Sequence, residues 1–406
     1  MKIVQINAVY EYSSTGRTTM EMHEYLCSHG IDSYVFCTNK NIPEYNVFKI
    51  GCILDYKIHS LLSHLTDGQG LFSKISTKKL LSSLDEIKPD IVILRNLHAN
   101  YINYPLLLKY LASHDIATIV VLHDVWTFTG HCCYYSIDKC DKWKTSCHDC
   151  PALNKYNKSW FWDNSTSNFR KKMELFQSIP RLAVIGVSKW VANEAKQSPI
   201  FSKARYIGYI YNWIDLKKFC PQNCIDIRSK LQLGNCYTVL SVAQNWSRNK
   251  GLSVIFNVAK RLSDVRFILV GTMSYKGNLP ENVISVGVTS NVTELAQYYS
   301  LADALLVCSL QETFGKVSAE ALACGTPVLS NNSTANPEIA GDECGLSFEN
   351  SNVDQIIDCI DKMKNIGKAF YVKRCINRAI SEFNFNIQIQ KYMDLFKEMV
   401  AWKNNF

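Results

Sequence analysis

The chain of 406 residues contains no apolar run approaching the roughly 18 residues that a membrane-spanning helix needs. Its first apolar segment, residues 3–8, is too short for a secretory signal and too polar at Gln5 and Asn7. The 16 cysteines are mostly scattered singly through apolar segments, which is typical of small buried residues in a reducing compartment. We therefore expect a cytosolic protein.

The sequence also lacks long Lys/Arg blocks, basic residues interleaved with aromatic ones, internal repeats and low-complexity tracts. Because the formal net charge of +8 is dispersed, the chain has no pattern typical of nucleic-acid binding. We interpret the excess charge as favouring phosphate-bearing ligands and an anionic membrane surface. A basic surface without a specific ligand is an equally good interpretation.

The length predicts two domains, because single cores rarely exceed roughly 250–300 residues. Strand-like and helix-like segments alternate along the chain, which indicates an α/β protein with parallel sheets. The alternation is interrupted at residues 124–165 and begins a second series at Tyr237. We predict domains at 1–212 and 213–384, followed by an amphipathic terminal helix at 385–406.

Residues 304–330 are the most informative stretch, because they read as one strand–helix–strand unit. Glu312 lies in the loop after the first strand, Gly315 allows close backbone approach, and Glu320 lies about one turn into the helix. A helix amino terminus at the end of a parallel strand favours phosphate binding. Two solvated carboxylates are the alternative interpretation of the glutamates.

The segment Glu-Thr-Phe-Gly-Lys-Val-Ser-Ala-Glu at 312–320 resembles the donor-site signature of the retaining glycosyltransferases of family 4. Three further segments are similar to landmarks of that family: residues 210–215, 240–251 and 266–271. The resemblance implies the GT-B fold, in which two Rossmann-like domains face each other across a cleft. It also implies that the first domain binds the acceptor, that the second binds a nucleotide-sugar donor, and that the terminal helix crosses back to the first domain.

The same resemblance implies roles for particular residues. Lys250 and Arg248 would neutralise the donor diphosphate, Glu312 would stabilise the reacting sugar, and the strand-end His123 would serve the sugar and acceptor side. Lys250, Glu312 and His123 are the implied catalytic residues. The implied donor-binding set consists of Gly16, Arg17, Arg248, Lys250, Glu312, Thr313, Phe314, Gly315, Lys316 and Glu320, the last of which would hold the ribose.

Two positions depart from the family pattern. Asn245 stands where many relatives carry arginine, and Thr313 replaces a common glycine. No Asp-x-Asp motif occurs at a credible strand end, so we expect no catalytic metal. The family is thought to retain the anomeric configuration, with the departing phosphate helping to remove the acceptor proton.

The cysteine-containing insertion resembles a feature of the subset of these enzymes that assembles polysaccharides and O-antigen. Cys147 and Cys150 have the spacing of a tetrahedral thiolate site, which Cys132 and Cys140 would complete as a structural zinc site. Packed reduced thiols and a disulfide are the alternatives. His131, Cys133 and His148 are additional candidate ligands.

We therefore expect a glycosyltransferase that acts at the inner face of the cytoplasmic membrane. It would move a hexose-type sugar from a UDP- or GDP-sugar to a lipid-linked oligosaccharide in O-antigen, capsule or exopolysaccharide biosynthesis. Two alternatives remain open. A nucleotide-sugar epimerase on the same fold would form product without an acceptor, and a catalytically silent partner subunit would bind nucleotide without releasing sugar.

Overall fold

The structure is a computed structural model that describes residues 1–38 and 44–402, except for the side chain of Arg248. The chain divides into two compact units. The first contains Met1–Ile210 together with the chain from Ile389 onward, and the second contains Tyr211–Gln388. The division after Ile210 lies two residues from the boundary that we predict at 212/213.

The first unit is built on a seven-stranded sheet in which all neighbouring strands are parallel. Its strands are β1 (Lys2–Ile6), β2 (Asp32–Cys37), β3 (Val47–Lys49), β4 (Ile91–Leu94), β5 (Ala117–Leu122), β6 (Leu182–Gly186) and β7 (Tyr206–Tyr209). Their order in the sheet is β3-β2-β1-β4-β5-β6-β7. Strands β4, β5 and β6 are buried throughout, as expected for a parallel sheet covered on both faces.

The helices of the first unit are α1 (Ser13–Ser28), α2 (Ile53–Thr66), α3 (Lys74–Ile87), α4 (Tyr104–Ser113), α5 (Ser165–Gln177) and α6 (Lys189–Gln197). Residues 53–87 form two helices, α2 and α3. Asp67 and Gly70 adopt left-handed backbone conformations between them, which ends α2. The insertion at 124–165 contains three short 3-10 turns, at Trp126–Phe128, Ser136–Asp138 and Lys142–Lys144.

The second unit has a six-stranded parallel sheet in the order β10-β9-β8-β11-β12-β13. Its strands are β8 (Tyr237–Asn245), β9 (Val265–Thr272), β10 (Val283–Gly287), β11 (Ala304–Val307), β12 (Val328–Asn331) and β13 (Gly345–Phe348). Its helices are α7 (Ile225–Lys230), α8 (Leu252–Arg261), α9 (Val292–Leu301), α10 (Lys316–Ala323), α11 (Asn336–Ala340), α12 (Val353–Ile366) and α13 (Lys368–Phe383). Buried side chains of α8 and α12, among them Ile255 and Ile360, pack with Phe267 of β9 in one core.

The terminal helix α14 (Phe385–Ala401) begins in the second unit and belongs to the first from Ile389 onward. Tyr392, Phe396 and Met399 are buried, and the guanidinium of Arg205 lies 4.8 Å from the ring of Trp402. Residues 403–406 of the predicted terminal segment lie outside the described residues. No helix in the described part of the chain is long and apolar enough to cross a membrane.

Both sheets reverse their strand order at one point. The reversal lies between β1 and β4 in the first unit and between β8 and β11 in the second. Helices after the two central strands run to opposite sides at such a point, which leaves a crevice beyond the carboxyl ends of the strands. The loops after β1, β4, β8 and β11 are therefore where ligands are expected.

Candidate functional site

The loops after β8 and β11 bring Lys250 and Glu312 together. Lys250 ends a 3-10 turn, Arg248–Lys250, and Glu312 lies in the loop that follows β11. The backbone N–H of Leu310 donates to the carbonyl oxygen of Asn249 at 3.2 Å, which joins the two loops. The Nζ atom of Lys250 forms an ion pair with Oε1 of Glu312, and both side chains are partly exposed. The predicted pair therefore lies at the point where the strand order of this sheet reverses.

The loop that carries Glu312 is held by its own backbone. The N–H of Glu312 donates to Thr334 Oγ1 at 2.9 Å, and its carbonyl oxygen accepts from the N–H of Ala335 at 3.2 Å. These contacts attach the loop after β11 to the segment after β12. They fix the main chain of Glu312 and leave its carboxylate directed to Lys250.

Gly315 directly precedes the first residue of α10. Its φ of 82° lies in the left-handed region, and a Cβ built there would meet nothing closer than Asn336 Oδ1, at 3.7 Å. The first turn of α10 contains no acidic side chain. Ser318 Oγ and Asn336 Oδ1 are buried beside it, and neither atom has a hydrogen-bond partner among the described residues. A polar ligand with anionic oxygens and hydroxyl groups fits such a place.

The other predicted donor residues have different environments. Phe314 is buried against Tyr211 and Phe383, with ring centroids 6.1 and 5.5 Å away, so its side chain anchors the loop. Glu320 is only 5% exposed, and its Oε2 accepts a hydrogen bond from the Tyr299 hydroxyl at 2.9 Å. Burial, and then the charge of Glu320, raises the pKa of Tyr299 well above its usual value. A ribose contact of Glu320 stays a prediction.

Three further predicted residues complete the placement in the second unit. Thr313 is partly exposed beside Glu312, and Lys316 is the partly exposed first residue of α10. The side chain of Arg248 lies outside the described residues. Asn245, at the end of β8, is exposed.

Gly16 and Arg17 lie near the start of α1, after β1. A Cβ on Gly16 would stand 3.2 Å from the backbone of both Tyr10 and Glu11, so the glycine allows the preceding loop to pack closely on the helix. Arg17 is partly buried and forms no salt bridge to a described carboxylate. The structure therefore gives Gly16 a packing role, and phosphate binding by either residue stays a prediction.

His123, which directly follows β5, contacts an arginine that the sequence analysis missed. Arg95 follows β4, is 2% exposed, and donates from Nη1 to His123 Nε2 at 3.0 Å and from Nη2 to Gln5 Oε1 at 3.3 Å. No described carboxylate forms a salt bridge with Arg95, and burial lowers its pKa. Because a guanidinium can only donate, His123 must accept at Nε2 and carry its proton on Nδ1. Arg95 is thus a positioning residue for His123.

Replacing Arg95 by methionine tests this role. Turnover is expected to fall about tenfold to 100-fold, because the imidazole loses its fixed orientation and tautomer. The acidic limb of the pH–rate profile should also move to higher pH, since removing the neighbouring cation makes protonation of His123 easier. Arg95→Lys should restore part of both effects. An unchanged pH profile in a folded Arg95→Met variant would contradict the positioning role.

The predicted cysteine ligands are only partly brought together. The thiol of Cys132 donates a hydrogen bond to Cys150, which, with nearby His131, lowers the pKa of Cys150 to about 7. Cys147 Sγ accepts from the N–H of Gly130 at 3.2 Å, and burial raises its pKa to about 12. The described residues that are close enough to share a metal ion are His98, Asp124 and Cys133, whose possible ligand atoms lie within 4.8 Å of one another. This group contains none of the four predicted cysteines.

A structural zinc at Cys132, Cys140, Cys147 and Cys150 stays a prediction, and metal analysis tests it. Purified protein is expected to contain about one zinc ion per chain and to lose it in the Cys147→Ser/Cys150→Ser variant. The matched pair Cys224→Ser/Cys236→Ser, in the second unit, should keep the metal. Folded protein without zinc would instead support packed thiols.

Comparison with known proteins agrees with this geometry. The two parallel-sheet units define the GT-B fold, as in the crystal structure of Anabaena Alr3699/HepE in complex with UDP, which matches with a TM-score of 0.68 and 15% identity over 98% of this chain and 100% of that one. A model described as "Glycosyltransferase Family 4" matches residues 15–218, and one described as "Glycosyl transferases group 1" matches residues 225–381. The chain belongs to glycosyltransferase family 4.

Among curated relatives, the D-inositol 3-phosphate glycosyltransferase of Mycobacterium sp. (strain KMS) is 31% identical over 137 residues, which are 30% of this chain and 31% of that protein. A putative colanic acid biosynthesis glycosyl transferase, WcaC of Escherichia coli (strain K12), is 23% identical over 285 residues, 64% of each chain. The chain thus spans about a third of the mycobacterial relative and just under two thirds of WcaC.

Proposed function

We propose that the protein is a retaining glycosyltransferase that moves a hexose-type sugar from a UDP- or GDP-sugar to a lipid-linked glycan during assembly of a bacterial surface polysaccharide. The observation that carries the proposal is the Lys250–Glu312 ion pair at the strand-order reversal of the second sheet. Family membership supports the reaction class. The names of WcaC and of the UDP complex support the polysaccharide pathway and the nucleotide sugar.

The chemistry follows from the leaving group. Cleavage of a sugar–phosphate bond leaves negative charge on the distal phosphate, and a fixed cation beside that charge stabilises the transition state. An ammonium group has three donors, so Lys250 can keep Glu312 and also bind phosphate oxygen. The carboxylate of Glu312 then accepts from sugar hydroxyls and stabilises positive charge developing on the ring. The amino terminus of α10 adds N–H groups to the anion.

Retention of configuration requires the acceptor to attack the same face of the sugar that the phosphate leaves. In this proposal the departing phosphate oxygen takes the acceptor proton, so no separate general base is assigned. His123, oriented by Arg95, would contact the sugar or the acceptor. A structural zinc, if bound by the cysteines of the insertion, would order that loop without entering the reaction.

A two-stage experiment tests the proposal. A panel of nucleotide sugars is first screened for thermal stabilisation, where the donor at about 100 times its Kd should add about 2.7 kcal/mol. The stabilising donor is then incubated with lipid-linked intermediates, and the anomeric configuration of the product is read by NMR. Product without acceptor would indicate an epimerase, and binding without sugar release a silent subunit. A product with inverted anomeric configuration would rule out the retaining mechanism.

A further inference from the structure

Helix α2 has an inverted distribution of polar and apolar side chains. Its buried residues are His59 and Ser63, whereas Leu54, Ile58 and Leu61 are about half exposed or more. These three leucine and isoleucine residues share one stripe with Leu65, because their spacing of four, three and four residues follows the helical repeat. A surface helix of a water-soluble domain normally turns such a stripe inward.

Polar contacts hold α2 in this orientation. His59 Nδ1 lies 2.8 Å from Ser73 Oγ, and His59 Nε2 accepts from the N–H of Gly70 at 3.2 Å. Burial lowers the pKa of His59 to about 4. Both ring nitrogens of His59, on the inward side of the helix, are therefore hydrogen-bonded to the loop between α2 and α3. The apolar stripe faces outward.

An aromatic turn extends this apolar stripe at the carboxyl end of α2. The N–H of Trp160 donates to the carbonyl oxygen of His64 at 2.7 Å, and the two rings stack with centroids 5.2 Å apart. The next residues, Phe161 and Trp162, are 71% and 64% exposed. We call Leu54, Ile58, Leu61, Trp160, Phe161 and Trp162 the α2 surface.

Exposed lysines lie on α2 and on the elements beside its apolar stripe. A depression of about 600 Å³ joins Leu54 and Ile58 to Lys49 of β3 and to Ile75 and Lys79 of α3. The exposed lysines of these elements are Lys49, Lys57, Lys74, Lys78 and Lys79. The one carboxylate on α2, Asp55, accepts a hydrogen bond from Ser76 Oγ at 2.7 Å, and the acidic residues of α3 lie in its last turn.

We infer that the α2 surface inserts into the interface of a bilayer that contains anionic lipids. Exposed tryptophan and phenylalanine beside an apolar helical stripe suit the boundary between headgroups and acyl chains, and the neighbouring lysines suit anionic headgroups. A protein partner is less well matched, because the lysines would need a complementary acidic ring. The inference rests on the proposed lipid-linked acceptor, whose membrane this surface would contact.

Co-sedimentation with vesicles, without donor or acceptor, tests the inference. The protein should pellet with vesicles containing phosphatidylglycerol, far less with pure phosphatidylcholine, and less in high salt. Leu54→Ser/Leu61→Ser and Phe161→Ser/Trp162→Ser should each weaken binding by at least about tenfold. Each of Lys57→Gln and Lys78→Gln should weaken it roughly fivefold. The matched control is Ile225→Ser/Val288→Ser, which removes similarly exposed apolar side chains from the second unit.

The outcomes separate the surface from the reaction. Wild-type protein that ignores anionic vesicles, or apolar variants that pellet like the control, would overturn the inference. So would variants that retain vesicle binding but change an oligomer into a monomer in light scattering, because the surface would then join protein chains. Release of nucleotide from a water-soluble donor should be the same in all these variants. Vesicle binding through this surface without transfer to any lipid-linked glycan would reject the proposed function alone.

Discussion

Replacing Lys250 by alanine is expected to lower kcat for sugar transfer by about 100-fold to 1,000-fold. The ammonium group of Lys250 lies at the strand-order reversal of the second sheet. In the proposed mechanism, the leaving phosphate gains negative charge at this place. Glu312→Ala should cause a loss of similar size, because it removes the carboxylate that stabilises the sugar ring in the proposed mechanism. In the double variant, the loss of transition-state stabilisation should be smaller than the sum of the two single-variant losses, because the residues contact each other.

Stability should change little in these variants, because the pair is partly exposed and such ion pairs contribute about 1 kcal/mol or less. Lys364→Ala is a matched control, because it breaks the exposed ion pair between Lys364 and Asp264 of the same unit. Circular dichroism and thermal melts establish folding, and steady-state kinetics measures transfer. Undiminished turnover in either Lys250→Ala or Glu312→Ala would contradict the role assigned to that residue.

Gly251→Ala is expected to damage stability and activity together. Gly251 has a φ of 75°, and a Cβ there would stand 2.3 Å from Cys308 Cβ and 3.0 Å from the Cys308 carbonyl oxygen. Both the backbone conformation and the steric overlap oppose a side chain, so we expect a cost of about 2–5 kcal/mol. Relief of the overlap would push the loop after β8 away from β11, which separates Lys250 from Glu312. The melting temperature of the second unit and kcat should both fall.

Gly287→Ala separates the two causes. Gly287 also has a left-handed φ, 70°, but nothing lies within 4 Å of a Cβ built there. It should cost about 1 kcal/mol and leave transfer unchanged. Equal effects of Gly251→Ala and Gly287→Ala on melting and on kcat would contradict the role of close packing between the two loops.

Much of the second unit could be predicted because its strands and helices are regular and its candidate site residues lie in the loops that directly follow strands. The strand–helix–strand pattern of residues 304–330 predicted β11, α10 and β12. The family resemblance implied that Lys250 and Glu312 bind the same donor, and the structure places both residues where adjacent parallel strands end. Gly251 completes this arrangement through a close contact with Cys308 that no periodicity can reveal.

Other features depend on tertiary packing that local patterns do not encode. Arg95 reads as an ordinary strand-end arginine, and its burial against Gln5 and His123 appears only when β1, β4 and β5 lie side by side. The hydrogen bond from Tyr299 to Glu320 likewise joins residues of α9 and α10 that no sequence pattern pairs. Short strands such as β3 and β13 have too few residues for a distinct pattern.

Helix α2 shows the same limit in a different way. Periodicity alone points the stripe of Leu54, Ile58 and Leu61 toward a core, but hydrogen bonds of His59 turn the polar side inward. The spacing of the apolar residues identifies the stripe but does not show which side of the helix becomes buried. That choice was decided by the loop between α2 and α3.

The return of α14 to the first unit bears on how the protein is made. Residues 1–210 leave the ribosome long before Tyr392, Phe396 and Met399, yet those late side chains are buried in the same unit. Until α14 has been synthesised, the apolar surface of the nascent first unit that α14 covers stays exposed, which favours chaperone binding or partial unfolding. Completion of the first unit therefore waits for the synthesis of α14, which follows nearly all of the second unit in the chain.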